Sequence, residues 1–225
     1  LLPPSPGSQD WTLAYYLQAI DDGDFWVDAR TIWSHPVDRL TYLGRTIDRP
    51  QETLLSGLGL ASRLYPTLEP SLQTSRPQRC ILNPIEAYEF LKSRVWRFQD
   101  SGLGVILPPS LANYESLSGR LGLSIRAESR QGGIGLQSLL AFQWELSLGG
   151  QRVSQAEFER LIRQGSPLVE INGEWVELRP GDVRAAQAFL SSRQDRMSLS
   201  LEDALRLSAG ESQTIEKLPV VNFEV

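Results

Sequence analysis

The spacing of apolar positions changes period several times along the chain. Short aromatic-rich or alternating runs predict strands at residues 11–19, 80–82, 121–127 and 141–148. Apolar positions three and four residues apart predict longer helices from about residues 50, 84, 154 and 181, and a short helix at residues 29–34. Strands and helices interleave without a regular βαβ rhythm. The pattern therefore predicts an α+β fold, with short strands and hairpins packed against several helices, in one body or in two subdomains.

Two turn signals stand between predicted strands. The run DDGD at residues 21–24 predicts a turn, after which residues 25–27 return as a partner strand. Asn172-Gly173 separates two β-rich runs and predicts a hairpin at residues 168–178. Its turn should be of type I′, with positive φ at both residues.

The helix after residue 83 has the clearest start signal. Asn83 is a favoured N-cap, Pro84 suits the first helical position, and Glu86 completes a capping box. Five apolar residues form the predicted buried stripe of this helix, which ends at Gly102: Ile85, Tyr88, Leu91, Val95 and Phe98.

Composition shifts divide the chain into four segments. Proline-rich residues 1–10 are predicted to be a linker, and residues 11–76 an N-terminal subdomain that ends at the Ser75-Arg76-Pro77 hinge. Residues 77–209 are the predicted accessory domain, and residues 210–225 a C-terminal connector. The chain opens on Leu1 and has methionine only at position 197, so we expect it to be part of a longer protein.

Charge and rare residues exclude several classes of function. The formal net charge is -5, which argues against a generally basic nucleic-acid coat but not against a local basic patch. One cysteine, Cys80, excludes an internal disulfide framework and a cysteine-rich zinc site. One histidine, His35, excludes a multi-histidine metal centre. No apolar run approaches the roughly 18 residues of a membrane helix, so we expect no membrane partner and a cytoplasmic location.

Few residues suggest catalysis. The chain has no phosphate-binding G-x-x-x-x-G-K-[ST] loop. A dyad of Cys80 and His35 stays open, although a buried inert thiol and a solvated or capping histidine are the favoured interpretations. The aspartates of residues 21–28 are open to cation binding or to solvation in a turn. Glu170, Glu174 and Glu177 are predicted to lie on the solvated face of the hairpin.

Basic side chains are almost all arginine, since the only lysines are Lys92 and Lys217. Guanidinium groups make bidentate contacts to phosphate, so a cluster of them could contact a DNA backbone. A compositional bias or an ordinary solvated face explains the same pattern. Trp96, Trp144 and Trp175 are predicted to pack in the core rather than to stack on bases. Five arginines are the candidate nucleic-acid contacts: Arg94, Arg97, Arg120, Arg126 and Arg130.

Four stretches together resemble a known family. They are residues 11–33, 49–65, 86–108 and, most specifically, 142–177, where a tryptophan strand ends in Leu148-Gly149-Gly150 and is followed by VSQAEF, PLV and GEWVE. This order is similar to the accessory region that precedes the motor in bacterial Swi/Snf-type DEAD/DEAH helicases, a region of unknown function. The resemblance covers most of residues 11–209.

The resemblance implies a DNA-dependent parent ATPase, in which ATP and Mg²⁺ bind only to the motor lobes. It therefore implies no catalytic, cofactor-binding or metal-binding residue in this chain. We expect a non-catalytic accessory region that docks on the motor lobes of the same polypeptide or helps to place duplex DNA. The alternatives are a protein–protein recruitment module without nucleic-acid contact and a free-standing enzyme.

Overall fold

The computed structural model describes residues 1–111, 121–128, 141–192, 206–207, 209, 214–215 and 217–224. The chain forms two compact units, unit 1 (Leu1–Tyr114) and unit 2 (Glu115–Val225). Both contain helices and small sheets, so the predicted α+β class is confirmed. Within the described residues, no helix is long and apolar enough to cross a membrane.

Unit 1 alternates short strands with helices. Its elements are β1 (Trp11–Ala14), β2 (Tyr16–Gln18), β3 (Trp26–Asp28), α1 (Ala29–Ser34), β4 (Arg39–Tyr42), β5 (Arg45–Asp48), α2 (Pro50–Leu64), α3 (Glu69–Leu72), β6 (Arg79–Leu82), α4 (Pro84–Glu89), a π-helical segment (Phe90–Arg94) and α5 (Val95–Asp100). Single 3₁₀ turns span Pro66–Leu68 and Pro109–Leu111.

Strand β1 pairs antiparallel with β6, far along the chain. Trp11 lies opposite Leu82 and Leu13 opposite Cys80, and all four side chains are buried on one face. Leu2 forms a β-bridge to Thr12 on the other edge of β1, so part of the predicted linker lies along this sheet. The predicted boundary between residues 76 and 77 falls inside unit 1, before β6.

Local signals account for the helices of unit 1. Asp28 caps α1, since its Oδ1 accepts a hydrogen bond from the N–H of Thr31 at 2.9 Å. Helix α2 begins at Pro50, as its sequence predicted, and runs through both Gly57 and Gly59. The buried side chains Leu54, Leu58 and Ala61 lie one helical turn apart and hold α2 against the core.

Two hairpins complete unit 1. The DDGD turn joins β2 to β3, which pair antiparallel as the sequence predicted. The hairpin of β4 and β5 was not predicted from the sequence. Its two-residue turn has φ of 47° at Leu43 and 79° at Gly44, which fits the mirror-image turns of hairpins. Leucine is a poor residue for such a turn, so this turn carries only half of the usual sequence signal.

Unit 2 contains a five-stranded sheet with helices. Its elements are β7 (Gly122–Glu128), β8 (Ala141–Leu148), β9 (Gln151–Val153), α6 (Gln155–Arg163), β10 (Leu168–Ile171), β11 (Glu174–Glu177), α7 (Pro180–Ser191), β12 (Thr214–Ile215) and β13 (Leu218–Glu224). The strand order of the sheet is β12-β13-β7-β8-β9, and β13 runs parallel to β7. Residues 218–224 therefore form an inner strand. The role of residues 210–225 as a connector stays a prediction.

The core of unit 2 forms between its sheet and its helices. Phe158 on α6 and Phe189 on α7 are fully buried with Leu123 and Ile125 of β7. The predicted hairpin pairs β10 with β11, and φ is 51° at Asn172 and 85° at Gly173. The hairpin and the positive φ at both turn residues are confirmed.

Candidate nucleic-acid interface

The helical stretch that carries Arg94 and Arg97 begins as its sequence predicted. Asn83 Oδ1 accepts hydrogen bonds from the N–H groups of Ile85 and Glu86, and Glu86 Oε2 accepts one from the N–H of Asn83 at 2.8 Å. This reciprocal capping box satisfies backbone donors that a helix start leaves unpaired. The predicted cap is confirmed in full.

The buried face of this stretch differs from the predicted stripe. Ile85 is exposed, whereas Ala87 and Phe90 are buried together with Leu91, Val95 and Phe98. Ala87, Leu91, Val95 and Phe98 are four, four and three residues apart, which is regular helical spacing, and Ile85 lies off this stripe. The predicted stripe included Ile85 because it stepped by three residues from Ile85 to Tyr88 to Leu91, and such steps drift around a helix of 3.6 residues per turn.

Arg94 lies at the end of the π-helical segment and is held by contacts within unit 1. Its Nη2 is 2.5 Å from Glu89 Oε1, and its Nε donates to the same oxygen at 3.2 Å. The guanidinium carbon lies 5.6 Å from the ring centroid of Tyr65, itself a fully buried residue. This arginine therefore has a structural role, whatever else it binds.

Arg97 lies on α5 and faces solvent with its neighbour. Its guanidinium carbon is 5.2 Å from the ring centroid of Trp96, and Trp96 is 51% exposed. The prediction that Trp96 packs in the core is wrong. Trp144, by contrast, packs edge-on against Phe189 with 4.4 Å between ring centroids. An exposed indole with a cation on its face can contact either a base or an apolar protein surface.

The other candidate arginines belong to unit 2. Arg126 is exposed on β7, in register with Gln143 of β8 and Glu224 of β13. Arg120 and Arg130 lie outside the described residues. The role of all five arginines in nucleic-acid binding stays a prediction.

The aspartates of the DDGD turn serve the fold of unit 1. Arg45 on β5 donates from Nη1 to Asp21 Oδ1 at 2.8 Å and from Nη2 to Asp22 Oδ2 at 3.1 Å. The hydrogen bond from Arg45 lowers the pKa of Asp21. For Asp28, burial opposes ionisation, but hydrogen bonds from the N–H and hydroxyl of Thr31 outweigh it and lower the pKa. The sequence suggested that these carboxylates are simply solvated. In the structure, Asp21, Asp22 and Asp28 also accept hydrogen bonds within unit 1.

The residues of the open cysteine–histidine dyad have separate surroundings. Cys80 is buried, its thiol donates to the carbonyl of Thr67 at 3.5 Å, and burial raises its pKa. His35 is exposed, with Nδ1 3.1 Å from the carbonyl oxygen of Thr31. Within the described residues, no group of three or more histidine, cysteine, aspartate or glutamate side chains could hold a metal ion.

A polar contact beside Cys80 was missed by sequence reasoning. Tyr15 Oη lies 2.5 Å from Ser71 Oγ, and Ser71 donates to the carbonyl of Leu68 at 2.7 Å. Since the serine hydroxyl has a single proton, Tyr15 is the donor of the first bond. Burial raises the pKa of Tyr15 to about 12.

The glutamates of the β10–β11 hairpin divide between two environments. Glu170 and Glu174 are exposed, as predicted, whereas Glu177 is buried and its Oε1 lies 3.4 Å from Arg179 Nε. The prediction of a solvated face is wrong for Glu177. Alternation ends there, because Val176, Glu177 and Leu178 are buried in succession.

Comparison with known proteins identifies the family. A model described as "SNF2 Helicase protein" matches residues 75–209, more than half of the chain, and the chain belongs to this family. A Bacillus subtilis (strain 168) protein named "Putative ATP-dependent helicase/translocase YwqA" is 26% identical over 129 residues, which are 56% of this chain. The match spans only 14% of that relative. No solved structure matches the chain significantly.

Proposed function

We propose that this chain is a non-catalytic accessory region of a bacterial, helicase-like, DNA-dependent ATPase and that it docks on the ATPase lobes of its own polypeptide. Membership of the SNF2 helicase family supports the association with such a motor. The name of the Bacillus subtilis relative, an ATP-dependent helicase/translocase much longer than the match, supports it as well. On this proposal ATP and Mg²⁺ bind in the lobes, and the protein acts in the cytoplasm.

The contacts of Arg94 are the main reason to favour protein docking over DNA binding. This candidate phosphate contact is neutralised by Glu89 and shielded by Tyr65 within its own unit. Meanwhile several large apolar side chains of unit 1 are exposed, among them Ile20, Leu43 and Trp96. Exposed apolar side chains gain free energy from burial against protein, whereas an acidic chain repels a polyanion at long range.

Placement of duplex DNA is the second candidate, and the Trp96–Arg97 pair favours it. Arg97 is exposed, and it forms no ion pair within the part of the chain that the structure describes. One such side chain supports weak, electrostatic contact without sequence preference. Each neutralised phosphate adds about -0.9 to the slope of log affinity against log salt, so a shallow slope is expected.

ATPase rates of the full-length protein test the proposal. Rates are measured with and without residues 1–225, each with and without duplex DNA. Docking on the lobes predicts that removal changes the rate in both conditions. DNA placement predicts a change only in the concentration of DNA that gives half-maximal stimulation. Equal rates for both proteins under every condition would contradict an accessory role.

A recruitment module that contacts a separate protein is the remaining alternative, and the net charge of -5 is compatible with it. In that case removal leaves all ATPase rates unchanged, but a second protein no longer co-purifies with the ATPase. The isolated chain provides one more test, since it should neither bind ATP stoichiometrically in calorimetry nor hydrolyse it.

A further inference from the structure

Two hairpin turns of unit 1 are held side by side by one arginine. Arg45, just after the β4–β5 turn, bridges to Asp21 and Asp22 in the β2–β3 turn at 2.8 and 3.1 Å. Its guanidinium carbon also lies 5.0 Å from the ring centroid of Phe25. The Phe25 ring meets the ring of Tyr42 at 6.2 Å in an edge-on arrangement. These contacts fix the β2–β3 turn and the β4–β5 turn side by side.

The larger of the two turns is also ordered from within. Gln18 Nε2 donates to the carbonyl of Gly23 at 2.6 Å, and the N–H of Phe25 donates to the carbonyl of Asp22 at 3.1 Å. The N–H of Asp24 donates to Asp22 Oδ1 at 3.1 Å. A pre-ordered surface loses little conformational freedom when it binds.

The two turns and the β2–β3 hairpin present apolar side chains to solvent. Ile20 is fully exposed in the β2–β3 turn, and Leu43 is 79% exposed in the β4–β5 turn. Tyr16 and Trp26, on one face of the β2–β3 hairpin, are also exposed and meet edge-on with 5.3 Å between ring centroids. We call Tyr16, Ile20, Trp26 and Leu43 the double-hairpin surface.

Leu43 is unfavourable where it stands. Its φ of 47° lies in the left-handed region, which costs a residue that has a Cβ atom about 1–2 kcal/mol relative to glycine. Asparagine or glycine is the usual residue there. Because the leucine side chain is exposed, packing within the chain does not compensate for this cost. Backbone strain together with an exposed apolar side chain indicates a contact outside the chain.

We infer that the double-hairpin surface docks into an apolar pocket bordered by arginine or lysine side chains. On the function proposed above, this pocket lies on the ATPase lobes of the same polypeptide. The charge beside the two turns selects that border, because Asp21, Asp22 and Asp24 lie together and, among the residues that the structure describes, Arg45 is the cation that pairs with Asp21 and Asp22. An acidic border attracts basic protein side chains and repels phosphate.

Site-specific photo-cross-linking in the full-length ATPase identifies what covers this surface. Benzoylphenylalanine replaces Leu43, Ile20 or, as a control on another element, the exposed Ile85 of α4. Positions 43 and 20 should cross-link to peptides of the ATPase lobes in which arginine or lysine flanks apolar residues. Cross-links to duplex DNA or to a second copy, or yields equal to that at position 85, would overturn the inference.

A matched pair of variants tests the contribution of the two apolar tips. Leu43→Asn suits positive φ, so the combined Leu43→Asn and Ile20→Ser variant removes the apolar tips without straining the turn. Cross-linking from benzoylphenylalanine at position 26 should fall by about tenfold or more, because the variant no longer has the two apolar side chains that would be buried in the pocket. The control Ile85→Ser should leave this yield unchanged.

The outcomes separate this inference from the proposed function. If removal of residues 1–225 changes the ATPase rate but the double variant keeps both its cross-links and its rate, the inference is wrong and the accessory role stands. If removal has no effect on any rate, the accessory role itself is wrong.

Discussion

Glu89 and Arg94 are five residues apart, yet Glu89 Oε1 and Arg94 Nη2 lie only 2.5 Å from each other. In a regular α-helix, side chains three and four apart are the neighbours. The π-helical turn between these residues widens the helix and brings the fifth residue onto the same side. Arg94 thereby covers Tyr65, whereas Arg97, one turn later, lies on exposed Trp96.

We predict that these two arginines differ in their effect on stability. Arg94→Met removes a half-buried ion pair and a contact to a buried ring, which together should cost about 1 kcal/mol of unfolding free energy. Arg97→Met should change it by less than about 0.5 kcal/mol, because both partners face solvent. Urea unfolding of each variant measures the difference. Equal losses would contradict the structural role of Arg94.

Replacement of Leu43 should stabilise the chain. Leu43→Asn relieves the positive-φ strain and should raise the unfolding free energy by about 0.5–1 kcal/mol. Leu43→Ala is the control, because it removes the same apolar side chain but keeps the strained backbone. Thermal unfolding that rises for both variants alike would show that strain is not the cause.

Gly122 should tolerate no side chain. A Cβ there would lie 2.5 Å from the carbonyl oxygen of Pro219 and 2.6 Å from Val221 Cγ1, on the strand that pairs with β7. Gly122→Ala should therefore cost about 1–3 kcal/mol in urea unfolding. Gly59→Ala is the opposite control, since its Cβ meets no atom within 4 Å and alanine favours helix α2 by up to about 1 kcal/mol. A stable Gly122→Ala protein would contradict the close approach of β13.

The Asn172-Gly173 turn predicts a cost for any branched side chain at its second position. Space is free around a Cβ at Gly173, so the penalty for Gly173→Val comes from its φ of 85° alone and should be about 1–2 kcal/mol. Glu170→Val, at an exposed position of β10, should leave stability nearly unchanged, because valine is favoured in strands. Melting temperatures of both variants distinguish backbone strain from a general effect of valine.

Tyr15 should make the chain sensitive to alkali. The folded pKa is about 12 against about 10 for a free tyrosine, so between these values the unfolded chain has lost a proton that the folded chain keeps. Stability from this group is complete below about pH 10 and falls as pH rises toward 12. Tyr15→Phe should be less stable than the parent at about pH 8, by roughly 0.5–1.5 kcal/mol for the lost bond to Ser71. The difference should shrink or reverse near pH 11.5, and a constant difference would contradict the raised pKa.

Much of the local structure follows from residues a few positions apart. The cap at Asn83, the start of α2 near residue 50 and the Asn172-Gly173 hairpin were all predicted, because each depends on hydrogen bonds or dihedral preferences within about four residues. The candidate nucleic-acid interface was predicted less well from the sequence. Ile85 and Trp96 were predicted to be buried but are exposed, because both lie off the buried stripe of this helical stretch.

The sequence by itself determined the α+β class, the family and most element starts, since composition and local preference act along the chain. Only the tertiary structure decided which distant groups meet. The pairing of β1 with β6, the bridge from Arg45 to the DDGD turn, and the exposure of Leu43 depend on which surfaces close on one another. Which surfaces pack together depends on burial and charge over the whole unit, so a short stretch of sequence does not predict it.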